Sequence, residues 1–148
     1  VGWDGRVIPG ANVLAIHSGG SDSGSSPHQT ETDESGNFST WLDPGTYTFV
    51  VTPPPQWPYP RLVTAPKQLI GDQTIVKLTL PPARVVQGTI TDPAGKPVED
   101  VTVRFHRIAD KTETSGYLDD ERWLMGVGST DPLGRYEVLL PSEVAIGL

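Results

Sequence analysis

Thr130-Asp131-Pro132-Leu133-Gly134-Arg135-Tyr136-Glu137-Val138-Leu139-Leu140 is matched without a gap by Thr32-Asp33-Glu34-Ser35-Gly36-Asn37-Phe38-Ser39-Thr40-Trp41-Leu42. The shared form is T-D-x-x-G-x-aromatic-x-x-x-L. Its chemistry reads as a β-hairpin: the Asp side chain can accept hydrogen bonds from the turn backbone, and Gly supplies a positive φ. The aromatic residue then opens a strand whose alternate positions, Tyr136, Val138 and Leu140, share one face.

Working outward, a second correspondence lies upstream of each turn. Asp4 to Val13 aligns with Ala94 to Val103, preserving the order of Gly, basic residue and apolar strand. Val101, Val103 and Phe105 alternate with Thr102, Arg104 and His106, the pattern of a half-buried strand that places His106 on the polar face. Two elements recurring in the same order indicate an internal repeat. Tyr47, Phe49 and Val51 alternate with Thr46, Thr48 and Val50. Val76, Leu78 and Leu80 alternate with Ile75, Lys77 and Thr79, and Val85 to Thr91 opens the second repeat. No window sustains a helical apolar stripe. Pro81-Pro82 closes the first repeat, so the predicted domains are 1–82 and 83–148.

Gly 16 and Pro 15 make about a fifth of the 148 residues turn formers, and hydrophobic residues are 36%. That composition suits many short strands joined by tight turns. No apolar run approaches the roughly 20 residues of a membrane-spanning helix. Val1 to Gly10 lack a charged-then-apolar targeting pattern. The net charge of −7 argues against binding a nucleic-acid backbone. With Cys 0, disulfide staples and thiolate metal sites are excluded.

The run Gly88-Thr89-Ile90-Thr91-Asp92-Pro93-Ala94-Gly95-Lys96-Pro97-Val98-Glu99-Asp100-Val101-Thr102-Val103 resembles the carboxypeptidase regulatory-like family. Leu42-Asp43-Pro44-Gly45-Thr46-Tyr47 resembles that family's L-x-P-G-x-Y element. The resemblance implies an all-β fold of two tandem antiparallel β-sandwich repeats of the prealbumin (transthyretin-like), Greek-key type. Each is trimmed by one or more strands. The first has no counterpart of Val85 to Ile90, and the second stops just past Ser142 and is incomplete at its C-terminal end. An unpaired sheet edge invites strand exchange or an edge-strand homodimer.

The motif specifies turns and hence a fold, not a function. His17, His28 and His106 lie on different segments with no metal-ligand spacing, and surface positions are the expectation for all three. Tyr47, Tyr59, Tyr117 and Tyr136 show no iron-ligand pattern, and no G-x-S-x-G or Ser/His/Asp arrangement stands out. No catalytic residue, cofactor site or metal site is expected. Asp119-Asp120-Glu121 lacks alternating calcium-ligand spacing and reads as a solvated loop.

Two stretches exceed what a sandwich needs. Thr52 to Pro60 is Pro-rich and carries Trp57 and Tyr59, whose rings can stack on a sugar or a partner, or cap the sandwich edge. Ala109 to Arg122 is long and charged and ends at Trp123. Trp57, Tyr59 and Trp123 are therefore the candidate partner-binding residues, while Trp3 and Trp41 are expected to pack within or between repeats. The leading expectation is a non-catalytic structural or interaction module of an exported protein. Its place would be extracellular, on the cell surface or periplasmic, as suits a bacterial envelope. It would act as spacer or display domain toward a protein or cell-envelope polysaccharide. The alternative is a carbohydrate-binding module using loop aromatics.

Overall fold

The structure, a computed structural model, describes residues 1–17, 27–71, 74–107, 121–142 and 146–147. Among them there is no helix, and every strand ladder is antiparallel. The chain divides into two compact units, Val1–Pro82 and Ala83–Leu148.

In the first unit β1 (Asn12–His17), β2 (His28–Glu31), β3 (Gly45–Thr52), β4 (Leu62–Val63) and β5 (Lys67–Leu69) form one sheet. β3 is its centre. It pairs with β1 along Asn12↔Thr52 to His17↔Tyr47, and on its other edge with β4 and then β5. A Thr/Tyr/Phe/Val-rich strand suits that position, and Tyr47 to Val51 are all buried. Between β4 and β5 the ladder is bridged by Thr64, whose N–H donates to the Phe49 carbonyl and whose hydroxyl accepts from the Phe49 N–H. The core gathers Ile8, Val13, Phe49, Val51, Leu78 and Leu80.

In the second unit β6 (Ala83–Thr89) pairs with β9 (Arg135–Pro141) over its whole length. β7 (Thr102–Arg107) pairs with β8 (Leu124–Ser129) and with the backbone of β10 (Ile146–Gly147). β9 packs on β8 without joining its ladder. A Cβ on Gly126 would meet Leu140 Cδ2 at 2.6 Å, and one on Gly128 would meet Val138 Cγ2 at 2.6 Å, so two glycines admit the β9 side chains.

That arrangement corrects the hairpin reading of the repeated motif. β8 and β9 flank the turn but belong to different ladders, so the turn is a corner. The local chemistry is as expected. Asp131 Oδ1 accepts from Leu133 N at 2.9 Å and Arg135 N at 2.8 Å, and Gly134 takes φ 69°. Asp33 makes the same bonds to Ser35 and Asn37, with Gly36 at φ 71°. The turn occurs a third time at Asp92, which accepts from Ala94 and Lys96.

The threonine of each motif ties its corner to the upstream segment. Thr130 Oγ1 donates to the Val98 carbonyl at 2.7 Å and accepts from Val101 N at 2.9 Å. Thr32 Oγ1 donates to the Ile8 carbonyl at 2.7 Å and accepts from Ala11 N at 2.8 Å. Even the kink between these partners recurs, with Gly10 at φ 69° in one unit and Asp100 at φ 59° in the other.

Three further expectations change. Residues 75–80 keep the foreseen alternation, with Leu78 and Leu80 buried and Ile75 exposed, but form only an isolated bridge from Leu80 to Gly2. His106 is buried, because an irregularity in the β7–β8 register between Phe105 and His106 breaks the alternation. Trp3 and Trp41 are exposed, Trp41 at 93%.

Candidate functional site

The two corners lead into different surroundings. Beyond Gly134 the chain becomes β9 and finds seven partners in β6, from Thr89↔Arg135 to Ala83↔Pro141. Beyond Gly36, residues 37–44 belong to no ladder among the described residues. Beside them runs a groove of about 1030 Å³, whose lining includes Gly36 to Leu42 and Pro44 as well as Thr74 to Leu78 and Leu80. Its floor is the apolar core itself, including Ile8, Val13, Phe49, Val51 and Leu80.

Trp41 and Ile75, 93% and 92% exposed, are among its lining residues. Large apolar side chains at the mouth of an apolar groove mark an interaction surface more than a solvated face. Phe38 and Leu42 stay partly buried against the core, with Phe38 and Phe49 ring centroids 6.5 Å apart. Val1 also lines the groove, its α-amino group donating to the Leu78 carbonyl at 3.1 Å.

The aromatic residues singled out from the sequence lie elsewhere. Tyr59 is a core residue, 4% exposed. Its ring lies over Gly2, where a Cβ would come within 2.5 Å, and its hydroxyl donates to Asp4 Oδ1 at 2.7 Å. That bond lowers the Asp4 pKa, with the adjacent Arg6 adding to it, and it raises the Tyr59 phenol together with burial. Trp57 stacks on Tyr59, centroids 6.3 Å apart, and packs partly buried against the core. Trp123 is half-buried, with the Arg107 guanidinium 4.8 Å from its ring centroid. The structure thus joins Trp57 to Tyr59 in one stack and gives Trp123 a separate place in the second unit.

His17 ends β1 edge-on to Tyr47, centroids 5.2 Å apart, and His28 opens β2 exposed. Tyr47 donates its hydroxyl to the Asp43 carbonyl at 3.0 Å, and burial followed by the Asp43 charge raises its pKa. Asp119 and Asp120 lie outside the described residues. Among the described residues no group of three His, Cys, Asp or Glu side chains could hold a metal ion, and no helix is long and apolar enough to cross a membrane.

Neither the groove nor the exposure of Trp41 was expected from the sequence. The signal that finds them is the alignment of 36–42 with 134–140, extended to the strand that each segment pairs with. Comparison with protein-family models, curated proteins and solved structures finds no match to this chain.

Proposed function

We propose that the two units are copies of one carboxypeptidase regulatory-like sandwich repeat, serving an exported or cell-surface protein as a non-catalytic module that spaces or displays. The observation that carries this is the duplicated corner. Two threonine hydroxyls, each held between a carbonyl and an N–H of the upstream segment, precede two identical Asx turns. Such a corner fixes a scaffold without positioning a reactive group. The recognition surface that best fits a display role is the groove with Trp41 and Ile75. The carbohydrate-binding alternative draws less support, because Tyr59 is buried and Trp57 leans on it.

The test has two arms. An antibody raised against the 148 residues is expected to label intact producing cells without permeabilisation; labelling only after lysis defeats the surface assignment. On a glycan array the chain is expected to give no signal. A signal lost on Trp57→Ala would reinstate sugar binding.

A further inference from the structure

We propose that Asn37 is an N-glycosylation site, its carboxamide Nδ2 accepting an oligosaccharide from a lipid-linked diphosphate donor. The proposal rests on the exported-protein reading above. Asn37-Phe38-Ser39 is an asparagine followed two residues on by a hydroxyl, the acceptor pattern for that transfer. Asn12 is the chain's other asparagine, and Leu14 stands where the hydroxyl would be needed. Asn12 is also half-buried in β1, paired with Glu31 of β2 on one side and Thr52 of β3 on the other.

Exposure is the first observation that favours Asn37. Asn37 and Ser39 are exposed while Phe38 between them is packed against the core, so carboxamide and hydroxyl stand on the same outward side of the extended chain. The pattern recurs in the second unit, where Arg135 and Glu137 are exposed on either side of half-buried Tyr136. There the segment is β9, paired with β6 throughout, so this motif position faces outward even with a strand alongside. The bonds of the corner are the second observation. The Asn37 N–H donates to Asp33 Oδ1 and its carbonyl accepts from the Asp33 N–H, both at 2.8 Å. Both are main-chain groups, so a bulky, solvated glycan on Nδ2 leaves the turn bonds intact. In the transfer, a bond forms from Nδ2 to the anomeric carbon of the sugar as that carbon's bond to the diphosphate oxygen breaks. An Nδ2 proton goes to a base of the transferase, and the lipid diphosphate leaves.

The experiment isolates the protein from its producing cells and maps its peptides by mass spectrometry, before and after peptide-N-glycosidase. The peptide holding Asn37 is expected to carry a glycan, which the enzyme releases while converting the Asn37 carboxamide to a carboxylate. Asn37→Gln and Ser39→Ala are each expected to lose the glycan, whereas Ser39→Thr keeps both hydroxyl and glycan. All three alter exposed side chains, so circular dichroism and thermal melts of the deglycosylated variants are expected to match the parent. Exported protein with a bare Asn37 overturns the site and leaves the exported-protein reading standing. Protein found only in the cytoplasm, with Asn37 bare, overturns that reading and the site together. A glycan that survives Ser39→Ala, or that maps to a Ser or Thr hydroxyl with Asn37 bare, also overturns the assignment.

Discussion

Thr130→Val isolates the threonine tie, because valine keeps the shape and removes only the hydroxyl. Thr130 is 3% exposed, so water does not replace what is lost. The substitution leaves the half-buried N–H of Val101 without its acceptor and removes the hydroxyl donor from the Val98 carbonyl. Leaving a backbone polar group unsatisfied costs about 1–3 kcal/mol when buried, so with both groups half-buried the change is expected to cost about 2–3 kcal/mol. A unit of this size has roughly 3–10 kcal/mol of stability in all. The variant should therefore lose a substantial fraction of the second unit's stability and unfold at clearly lower urea. Thr130→Ser keeps both bonds, loses one methyl, and is expected to cost about 1 kcal/mol. Thr32→Val removes the equivalent bonds at a half-buried site, where water compensates, and is expected to cost about 1–2 kcal/mol. Urea unfolding followed by circular dichroism gives the totals, and hydrogen exchange in β6 and β9 assigns the loss to the second unit. A Thr130→Val loss under about 0.5 kcal/mol, or a serine variant as damaged as the valine one, would refute the reasoning.

Three further outcomes can be checked on the same preparations. Gly134→Ala meets both a left-handed backbone and the Ile90 carbonyl at 2.4 Å, whereas Gly95→Ala meets only the former at φ 82°. Thermal melts should show a loss of about 3 kcal/mol or more for the first and about 1 for the second. Gly10→Asp should cost under about 1 kcal/mol in urea unfolding, because Asp100 already holds the equivalent left-handed position. Tyr59→Phe should lower stability near neutral pH and flatten its decline in acid. The Tyr59 hydroxyl is the largest cause of the low Asp4 pKa, so Asp4 contributes stability above the ordinary carboxylate range that is lost as pH falls through its depressed folded value. The difference between wild type and variant should be greatest near neutral pH and shrink in acid, and a pH-independent difference would contradict the assignment.

Period-two alternation made β1, β6, β7 and β9 legible, because each has a more buried and a more exposed face; β3 was legible from its alternating residue types although Tyr47 to Val51 are buried on both faces. The Asp and Gly of each turn were equally legible, since their bonds stay within five residues. What escaped the sequence was pairing. Asx-turn chemistry is the same whether the outgoing strand folds back on the incoming one or crosses to another ladder, so a corner looked like a hairpin. Trp41 was expected to pack within or between repeats, and its motif counterpart, Leu139, does sit in a paired strand. Its own segment has no ladder, and its ring is exposed. His106 was misplaced for another local reason: the register break after Phe105 turns it inward, and nothing in the residue types announces a bulge.

The contrast between 37–43 and 135–141 separates two jobs that the motif combines. Its Thr, Asp and Gly build the corner with bonds to nearby backbone and to the Ile8–Ala11 or Val98–Val101 segment. None of those bonds involves a strand like β6, and both units make them. The aromatic and the residues after it become a strand only when such a partner lies alongside. The rim of the groove is thus held in place by the corner itself: Gly36 is fixed by Asp33, and Phe38 is packed against the core. Asp33→Ala should therefore loosen Gly36 and cost the first unit about 1–2 kcal/mol in urea unfolding. Asp92→Ala, which removes the same kind of turn bonds in the second unit, should leave hydrogen exchange in the first unit unchanged.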